Sequence, residues 1–289
     1  MGGESTFETY TTPWGVFTID PVEDRQIANR LRAGSAHQGE AFDILSSFIK
    51  EGGVVVDAGA HIGTFSIPMG LRGRKVIAFE PSPAAFAFLQ RNVALNTVPV
   101  DARNKGLGAK HSTAGLREGE RGNAGSRSLI EGAGAIPVAR LDDEVEHADA
   151  IKIDVEGMEL NVLQGAQRLI ETSKPVILFE VFLSQMRLYG SRPRALQSFF
   201  HSRGYTLYLL IPDKEQVRLG KLWNLSLAAL FITPGTVFFN RLGCAFDVLA
   251  VPSNRAMSLP YSSAFATYLY IAGGKIIDVT SRMFKKLYR

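Results

Sequence analysis

One segment of the chain restricts its fold more than any other: a short apolar run that leads directly into a glycine-containing loop. The run is Val54-Val55-Val56, and the loop is Asp57-Ala58-Gly59-Ala60-His61-Ile62-Gly63. Three consecutive β-branched residues are typical of a strand that is buried on both faces of a parallel sheet. Glycines at the end of such a strand allow a tight turn and a close approach of the backbone to a ligand. The segment therefore predicts a strand–loop–helix unit with a ligand at the loop.

Similar apolar runs recur along the chain, with helical patterns between them. They lie at residues 75–79, 151–153, 175–179, 205–211 and 246–251. Ser82 followed by Pro83 is a typical helix start, because serine caps the first amides and proline fits the first turn. Alternating strands and helices indicate parallel βαβ units with helices on both faces of the sheet. A Pro234-Gly235 turn between apolar runs predicts that the end of the sheet is antiparallel.

The 289 residues suffice for one large α/β domain with extensions. We expect an N-terminal helical extension over 1–44, with helices near 24–31 and 40–49, and an α/β domain over 45–255. The tail, 256–289, has apolar residues at helical spacing among basic ones, which predicts an amphipathic helix. We expect this helix to pack on the domain or on a second subunit. In the second case the protein would be a homo-oligomer. Peripheral contact with an anionic membrane is the alternative.

Composition narrows the class of protein further. The single cysteine, Cys244, excludes an intramolecular disulfide and a cysteine-rich zinc site. A balance of 32 Lys+Arg against 28 Asp+Glu gives a net charge of +4, which is weak for a nucleic-acid binder. No window reaches about 18 consecutive apolar residues, and the N-terminus lacks the basic and apolar regions of a signal peptide. We expect a cytoplasmic protein with no transmembrane segment and a small-molecule partner rather than a nucleic acid.

An acidic residue, Glu80, follows the next predicted strand and is well placed for an adenosine ligand. A carboxylate at this position accepts hydrogen bonds from the ribose hydroxyls. The loop lacks the G-x-G-x-x-G spacing of a dinucleotide site, and Asp57 would repel a diphosphate but attract a sulfonium or ammonium group. We therefore favour S-adenosylmethionine over NAD. The predicted cofactor-binding residues are Asp57, Gly59, Ala60, His61, Gly63 and Glu80. There are two alternatives: a tight turn that binds no ligand, and the cofactor site of a dehydrogenase.

A second motif, Lys152-Ile153-Asp154-Val155-Glu156-Gly157, continues to Gly165-Ala166. With the glycine loop, Phe79-Glu80-Pro81, Leu141-Asp142-Asp143 and Pro175 through Glu180, it resembles the FkbM family of S-adenosylmethionine-dependent methyltransferases over residues 45–252. The resemblance implies an α/β, Rossmann-like class I methyltransferase fold, with a seven-stranded, mostly parallel sheet of order 3-2-1-4-5-7-6. It also implies methyl transfer to oxygen. His61 departs from the family, which more usually has Asn, and this leaves its role as a base or as a local hydrogen-bonding group open.

Three carboxylates, Asp154, Glu156 and Glu180, are the candidate catalytic residues. An alcohol needs a general base, or a metal that lowers its pKa, before it attacks a methyl group. Because Asp154 and Glu180 end neighbouring predicted strands, we expect the three carboxylates at one edge of the sheet, where they act as base or hold Mg²⁺. The alternatives are structural: Asp154 binds turn amides, Glu156 caps the following helix, and Glu180 pairs with Arg187 or Arg192.

The leading interpretation is an O-methyltransferase that acts on a small hydroxylated acceptor, such as a sugar, a glycolipid or a secondary metabolite. A catalytically silent adenosyl-binding or scaffold protein on the same fold is the alternative, and it would not need Asp154 or Glu156. Acceptor pockets in this fold are built from loops. We expect the glycine-rich stretch 108–140, which predicts a hairpin, and the loop after Glu180 to contribute to that pocket.

Overall fold

The chain divides after Ile177 into two units, Met1–Ile177 and Leu178–Arg289. The computed structural model describes residues 7–35, 39–119, 121–212, 217–222, 245–255 and 261–262. In these ranges no helix combines the length and the apolar character that crossing a membrane requires. Apart from residues 261–262, the predicted C-terminal tail lies outside the described residues, so its amphipathic helix stays a prediction.

The first unit begins with an antiparallel hairpin that the sequence pattern did not predict. Its strands are β1 (Glu8–Thr12) and β2 (Gly15–Ile19). Two helices follow, α1 (Arg25–Arg32) and α2 (Gly39–Ser47), close to the two that the sequence predicts. Asp24 caps α1, because its side chain accepts a hydrogen bond from the amide of Ile27.

The next elements alternate strand and helix, as predicted. They are β3 (Val54–Ala58), α3 (Ser66–Leu71), β4 (Lys75–Phe79), α4 (Pro83–Asn96) and β5 (Val100–Arg103). Ser82 caps α4 by accepting a hydrogen bond from the amide of Ala85, and Pro83 is the first helical residue. The predicted start of this helix is therefore confirmed.

Two asparagines of α4 attach the N-terminal hairpin to the rest of the first unit. Asn92, which is fully buried, pairs with the backbone of Thr18 through its amide oxygen and nitrogen, at 2.7 and 3.1 Å. Asn96 pairs with the backbone of Val16 in the same way, at 2.8 and 2.7 Å. The hairpin also shares a hydrophobic cluster with α1, α3 and the glycine loop; its buried members are Phe17, Ile19, Ile27, Ala28, Leu31, Ile62 and Ile67.

The glycine-rich stretch 108–140 forms most of a separate four-stranded sheet. The strands are β6 (Gly106–Leu107), β7 (Ser112–Arg117), β8 (Ser128–Glu131) and β9 (Ile136–Ala139), in the order β6-β9-β7-β8. β7 and β8 form the antiparallel hairpin that the sequence predicts, with a short 3-10 helix at Ala124–Ser126 between them. The short helix α5 (Leu141–Glu144) follows.

The main sheet of the first unit is parallel and has the order β5-β4-β3-β10. Its last member is β10 (Ala150–Ile153), followed by α6 (Glu159–Gln164) and α7 (Gln167–Ser173). The register of β10 against β3 places Lys152 beside Asp57. Since these strands are parallel, their carboxyl ends meet at one edge of the sheet, and the glycine loop lies there.

Strand β11 (Val176–Phe182) leads into the second unit. Its other elements are α8 (Leu183–Leu188), α9 (Pro193–His201), β12 (Tyr205–Pro212), β13 (Val217–Leu222), β14 (Ala245–Pro252) and β15 (Tyr261–Ser262). The strand order here is β11-β14-β12-β13-β15. Phe179 stacks on Phe200 with ring centroids 5.1 Å apart, and Phe200 contacts Tyr205.

The observed strand orders confirm the predicted class I fold. In the numbering of that fold, the first unit contains 3-2-1-4 and the second contains 5-7-6, with β13 and β15 added beyond. The predicted antiparallel end is also present, because β14 pairs antiparallel with β12. The Pro234-Gly235 turn itself lies outside the described residues.

Candidate functional site

The glycine loop, residues 57–63, has a backbone that few residue types adopt. Gly59 and Gly63 have φ values of 86° and 94°, and His61 has a φ of 52°. A Cβ atom on Gly59 would lie 1.9 Å from the carbonyl oxygen of Asp154, which no side chain tolerates. The loop therefore packs directly against the end of β10. The left-handed conformation of His61 is strained by about 1–3 kcal/mol, and asparagine adopts this conformation more readily.

Glu80 is buried where β4 ends, and its carboxylate is bound to the glycine loop. One oxygen accepts the amide hydrogen of His61 at 2.8 Å, and the other accepts that of Ser82 at 2.8 Å. Burial raises the pKa of Glu80 to about 7, against the lowering effect of these two amides. The predicted ribose-binding residue is thus held in one orientation beside the loop.

A group of three charges, two of them buried, lies beneath the loop. Lys152 Nζ is 3.3 Å from Asp57 Oδ1 and 3.3 Å from Asp154 Oδ2. It also donates to the carbonyl oxygen of Gly59 at 3.3 Å. Burial alone would lower the pKa of Lys152, but the two carboxylates outweigh it and the pKa is raised. The lysine therefore stays charged and joins β3, β10 and the loop.

Asp57 is fully buried and fixed from two sides. Besides its contact with Lys152, its Oδ2 accepts a hydrogen bond from Ser66 Oγ of α3 at 2.6 Å. Asp154, by contrast, keeps 23% of its side chain exposed at the end of β10. Of the two carboxylates that contact Lys152, Asp154 is the one that solvent reaches.

The turn after Asp154 is shaped by Glu159. Glu156 has a φ of 55° and Gly157 a φ of 104°, and the amide of Gly157 donates to Glu159 Oε1 at 2.9 Å. Glu159 is buried in the first turn of α6, and burial raises its pKa to about 7. Glu159, which the sequence did not single out, thus binds an amide of this turn.

A second acidic residue outside the prediction, Asp24, contacts the glycine loop. Its Oδ2 lies 3.1 Å from His61 Nε2, and the side chains of Asp24 and His61 are 3% and 16% exposed. Burial raises the pKa of Asp24 to about 6, while the amide of Ile27 and the charge of Arg127 lower it. His61 thus connects two buried acids: its amide binds Glu80 and its imidazole lies against Asp24.

The structure brings most of the predicted site residues of the first unit together. The loop residues, Glu80 and Asp154 are joined by the contacts given above. Glu180 belongs to β11 in the second unit, so a common site of three carboxylates, with or without Mg²⁺, stays a prediction. Lys152 was missed, although a charged residue inside Ile151-Lys152-Ile153 already indicates a buried ionic partner.

The parallel sheet, the glycine loop at its edge and the acid after the second strand define a class I methyltransferase domain. The family model described as "Methyltransferase FkbM domain" matches residues 57–207, which is more than half of the chain. The chain belongs to the FkbM methyltransferase family, and the predicted resemblance is confirmed.

Three curated relatives are similar to this chain. "Methyltransferase sdnD" of Sordaria araneosa is 26% identical over 195 residues, which cover 53% of this chain and 73% of that protein. "Methyltransferase 1" of Beauveria bassiana is 29% identical over 142 residues, covering 38% of this chain and 57% of the relative. "Hexuronic acid methyltransferase AglP" of Haloferax volcanii is 27% identical over 168 residues, covering 56% and 68%.

Proposed function

We propose that this chain transfers a methyl group from S-adenosylmethionine to a hydroxyl group of a small acceptor. The observation that carries the proposal is the Glu80 carboxylate, which two amides hold at the end of β4. Each oxygen of an ionised carboxyl group offers about two acceptor positions. The ribose hydroxyls can therefore bind Glu80 in addition to the amides of His61 and Ser82.

The residues of the loop fit the same ligand. Gly59 and Gly63 allow the tight turn of the loop, because both have a positive φ and a side chain on either would meet neighbouring protein atoms. Ala60 between them is small. Asp57 is bonded to Ser66 and Lys152, so we assign it the role of positioning the loop rather than of touching the donor. The bound donor supplies a methyl group that is already activated as a sulfonium.

Asp154 is the carboxylate that we assign to the acceptor hydroxyl. It is half-buried at the end of β10, and Lys152 holds one of its oxygens. A carboxylate in a fixed position can accept the proton of the attacking hydroxyl or can serve as an oxygen ligand of Mg²⁺. Glu156 and Glu180 remain candidates for the same role, as proton acceptor or as ligand of Mg²⁺.

The acceptor class rests on the relatives and not on the site. The name of the Haloferax relative gives a hexuronic acid as its substrate, and the Sordaria and Beauveria relatives are named only as methyltransferases. A sugar or secondary-metabolite hydroxyl is consistent with these names.

Isothermal titration with S-adenosylhomocysteine tests the proposal on the full chain. We expect binding by the wild type and at least about tenfold weaker binding by Glu80→Gln, because charge-assisted hydrogen bonds to ribose contribute about 1.5–3 kcal/mol. Glu159→Gln is the matched control: this carboxyl is also buried, has the same raised pKa and should leave the affinity unchanged. No heat with the wild type at millimolar ligand would refute the function, and equal affinity of Glu80→Gln would refute the ribose assignment.

A further inference from the structure

A cavity of about 600 Å³ lies beside the glycine loop, between the N-terminal hairpin and α4. We name it the hairpin pocket. Its apolar lining includes Phe7, Ile19, Ile62, Ala84, Ala87 and Phe88. Of the site residues predicted from the sequence, His61 alone lines it. Its volume is in the range of small-molecule sites, which are mostly apolar and contain a few polar groups.

Asp24 is the buried polar group of this pocket. Its Oδ1 accepts the amide hydrogen of Ile27 at 3.3 Å. Its Oδ2 lies 3.1 Å from His61 Nε2, but it has no partner of regular hydrogen-bond geometry among the residues that the structure describes. A buried carboxylate oxygen costs free energy when no donor completes its hydrogen bonds. This oxygen is itself buried against His61, so a hydroxyl group of a ligand in the pocket would reach it after the Asp24 side chain turns toward the pocket.

One residue separates the hairpin pocket from the proposed donor site. The amide of His61 binds Glu80, which we assign to the ribose of the donor, and its imidazole faces Asp24 and the pocket. Ile62, the next residue, also lines the pocket. A ligand in this pocket is therefore adjacent to the glycine loop.

The charges around the pocket disfavour an anionic ligand. Its lining contains three carboxylates and two guanidinium groups, which are Asp20, Glu23, Asp24, Arg91 and Arg127. Arg127 already pairs with Glu23 and Glu118, at 3.1 Å each. The Arg91 guanidinium lies over the ring of Phe7, 5.7 Å from its centroid. An incoming carboxylate would meet more negative than positive charge.

The geometry points to the hairpin pocket as the part of the acceptor site that holds an uncharged, ring-bearing portion of the acceptor, with a ring hydroxyl that donates to Asp24. This inference rests on the proposed function, because an acceptor implies methyl transfer. Phe7 and Phe88, whose rings meet edge to face at 5.1 Å, provide an aromatic wall. Ala84 and Ala87 on the adjacent turns of α4 leave room for a ring.

The first test measures the binding of 1-naphthol, an uncharged aromatic alcohol, to the full chain by titration calorimetry. Ala87→Trp should fill the pocket and weaken binding at least about tenfold. Ala94→Trp is the matched control, because Ala94 is an exposed residue of the same helix that does not line the pocket. Asp24→Asn should weaken binding about fivefold, since asparagine preserves the cap of α1 but removes the charge. Equal affinity of Ala87→Trp, or binding of methyl glucuronoside in preference to 1-naphthol, would overturn the inference.

The second test uses methyl-labelled S-adenosylmethionine and a fractionated extract of the host. The product that the wild type and Ala94→Trp label should be uncharged and extractable into organic solvent, and Ala87→Trp should not form it. Equal labelling by Ala87→Trp, or an anionic product, would refute the assignment. The affinity for S-adenosylhomocysteine separates the two proposals. If the wild type, Ala94→Trp and Ala87→Trp bind it equally, a failed labelling test refutes the role of the pocket. If the wild type does not bind it, the proposed function itself is refuted.

Discussion

Replacement of Lys152 by methionine tests whether the buried charges beneath the glycine loop stabilise the fold. Methionine has nearly the length of lysine, so Lys152→Met removes the charge and leaves little empty space. The lysine side chain is 6% exposed and lies 3.3 Å from both Asp57 and Asp154. Asp57 has no exposed surface, and in the variant it keeps the hydrogen bond from Ser66 but loses the contact with the lysine.

The expected loss follows from these distances. Two unit charges 3.3 Å apart attract each other by about 5 kcal/mol at an effective dielectric constant of about 20. The desolvation of the lysine, several kcal/mol per buried ion, offsets a large part of the two attractions in the wild type. Removal of one partner from a buried pair typically costs about 3–5 kcal/mol, because the other charge stays buried without compensation. We expect Lys152→Met to lower the free energy of unfolding by this amount.

Urea denaturation of the full chain at pH 7 measures the effect, with an unchanged m-value as the condition for comparing variants. The control is the double variant Asp57→Asn/Lys152→Met, in which the uncompensated carboxylate is replaced by a neutral amide. Its stability should return to within about 1–2 kcal/mol of the wild type, since a neutral buried group costs much less than a charged one. A loss below about 1 kcal/mol in Lys152→Met, or the absence of rescue in the double variant, would contradict the reasoning.

Three further predictions concern the same region. Gly59→Ala should abolish S-adenosylhomocysteine binding in titration calorimetry, because the added Cβ would lie 1.9 Å from the carbonyl of Asp154; retained affinity would show that the loop can move away from β10. Burial raises the pKa of Glu159 from 4.5 to about 7, so the protonated side chain contributes about 3 kcal/mol to the free energy of unfolding. This contribution is complete below about pH 4.5 and is lost as the pH rises through 7. Glu159→Gln should therefore flatten the decline of stability between pH 5 and 8 in urea titrations, and a slope equal to that of the wild type would argue against it. Asp154→Asn should lower turnover about a hundredfold or more and change donor affinity little; if EDTA abolishes the wild-type activity and Mg²⁺ restores it, the carboxylates hold a metal, whereas insensitivity to EDTA leaves base catalysis.

Much of the fold could be predicted because its signals are local. The Val54–Val56 run, the cap formed by Ser82 and Pro83, and the glycines at the end of β3 each act within a few residues. The alternation of strands and helices is compatible with only a few sheet topologies. The observed strand orders agree with the predicted one. The N-terminal hairpin was missed because its attachment depends on Asn92 and Asn96, about 75–80 residues away in the chain.

The sequence by itself determined the class of fold, the position of the glycine loop and the residue types at the edge of the sheet, because backbone sterics and apolar periodicity act over short distances. Only the tertiary structure decided which charges meet. Lys152 contacts Asp57 because β10 and β3 pair in one register, and a shift by one residue would turn the lysine to the other face of the sheet. Asp24 reaches His61 because the N-terminal segment folds back over the loop. Such pairings depend on the packing of distant segments, which no local pattern contains.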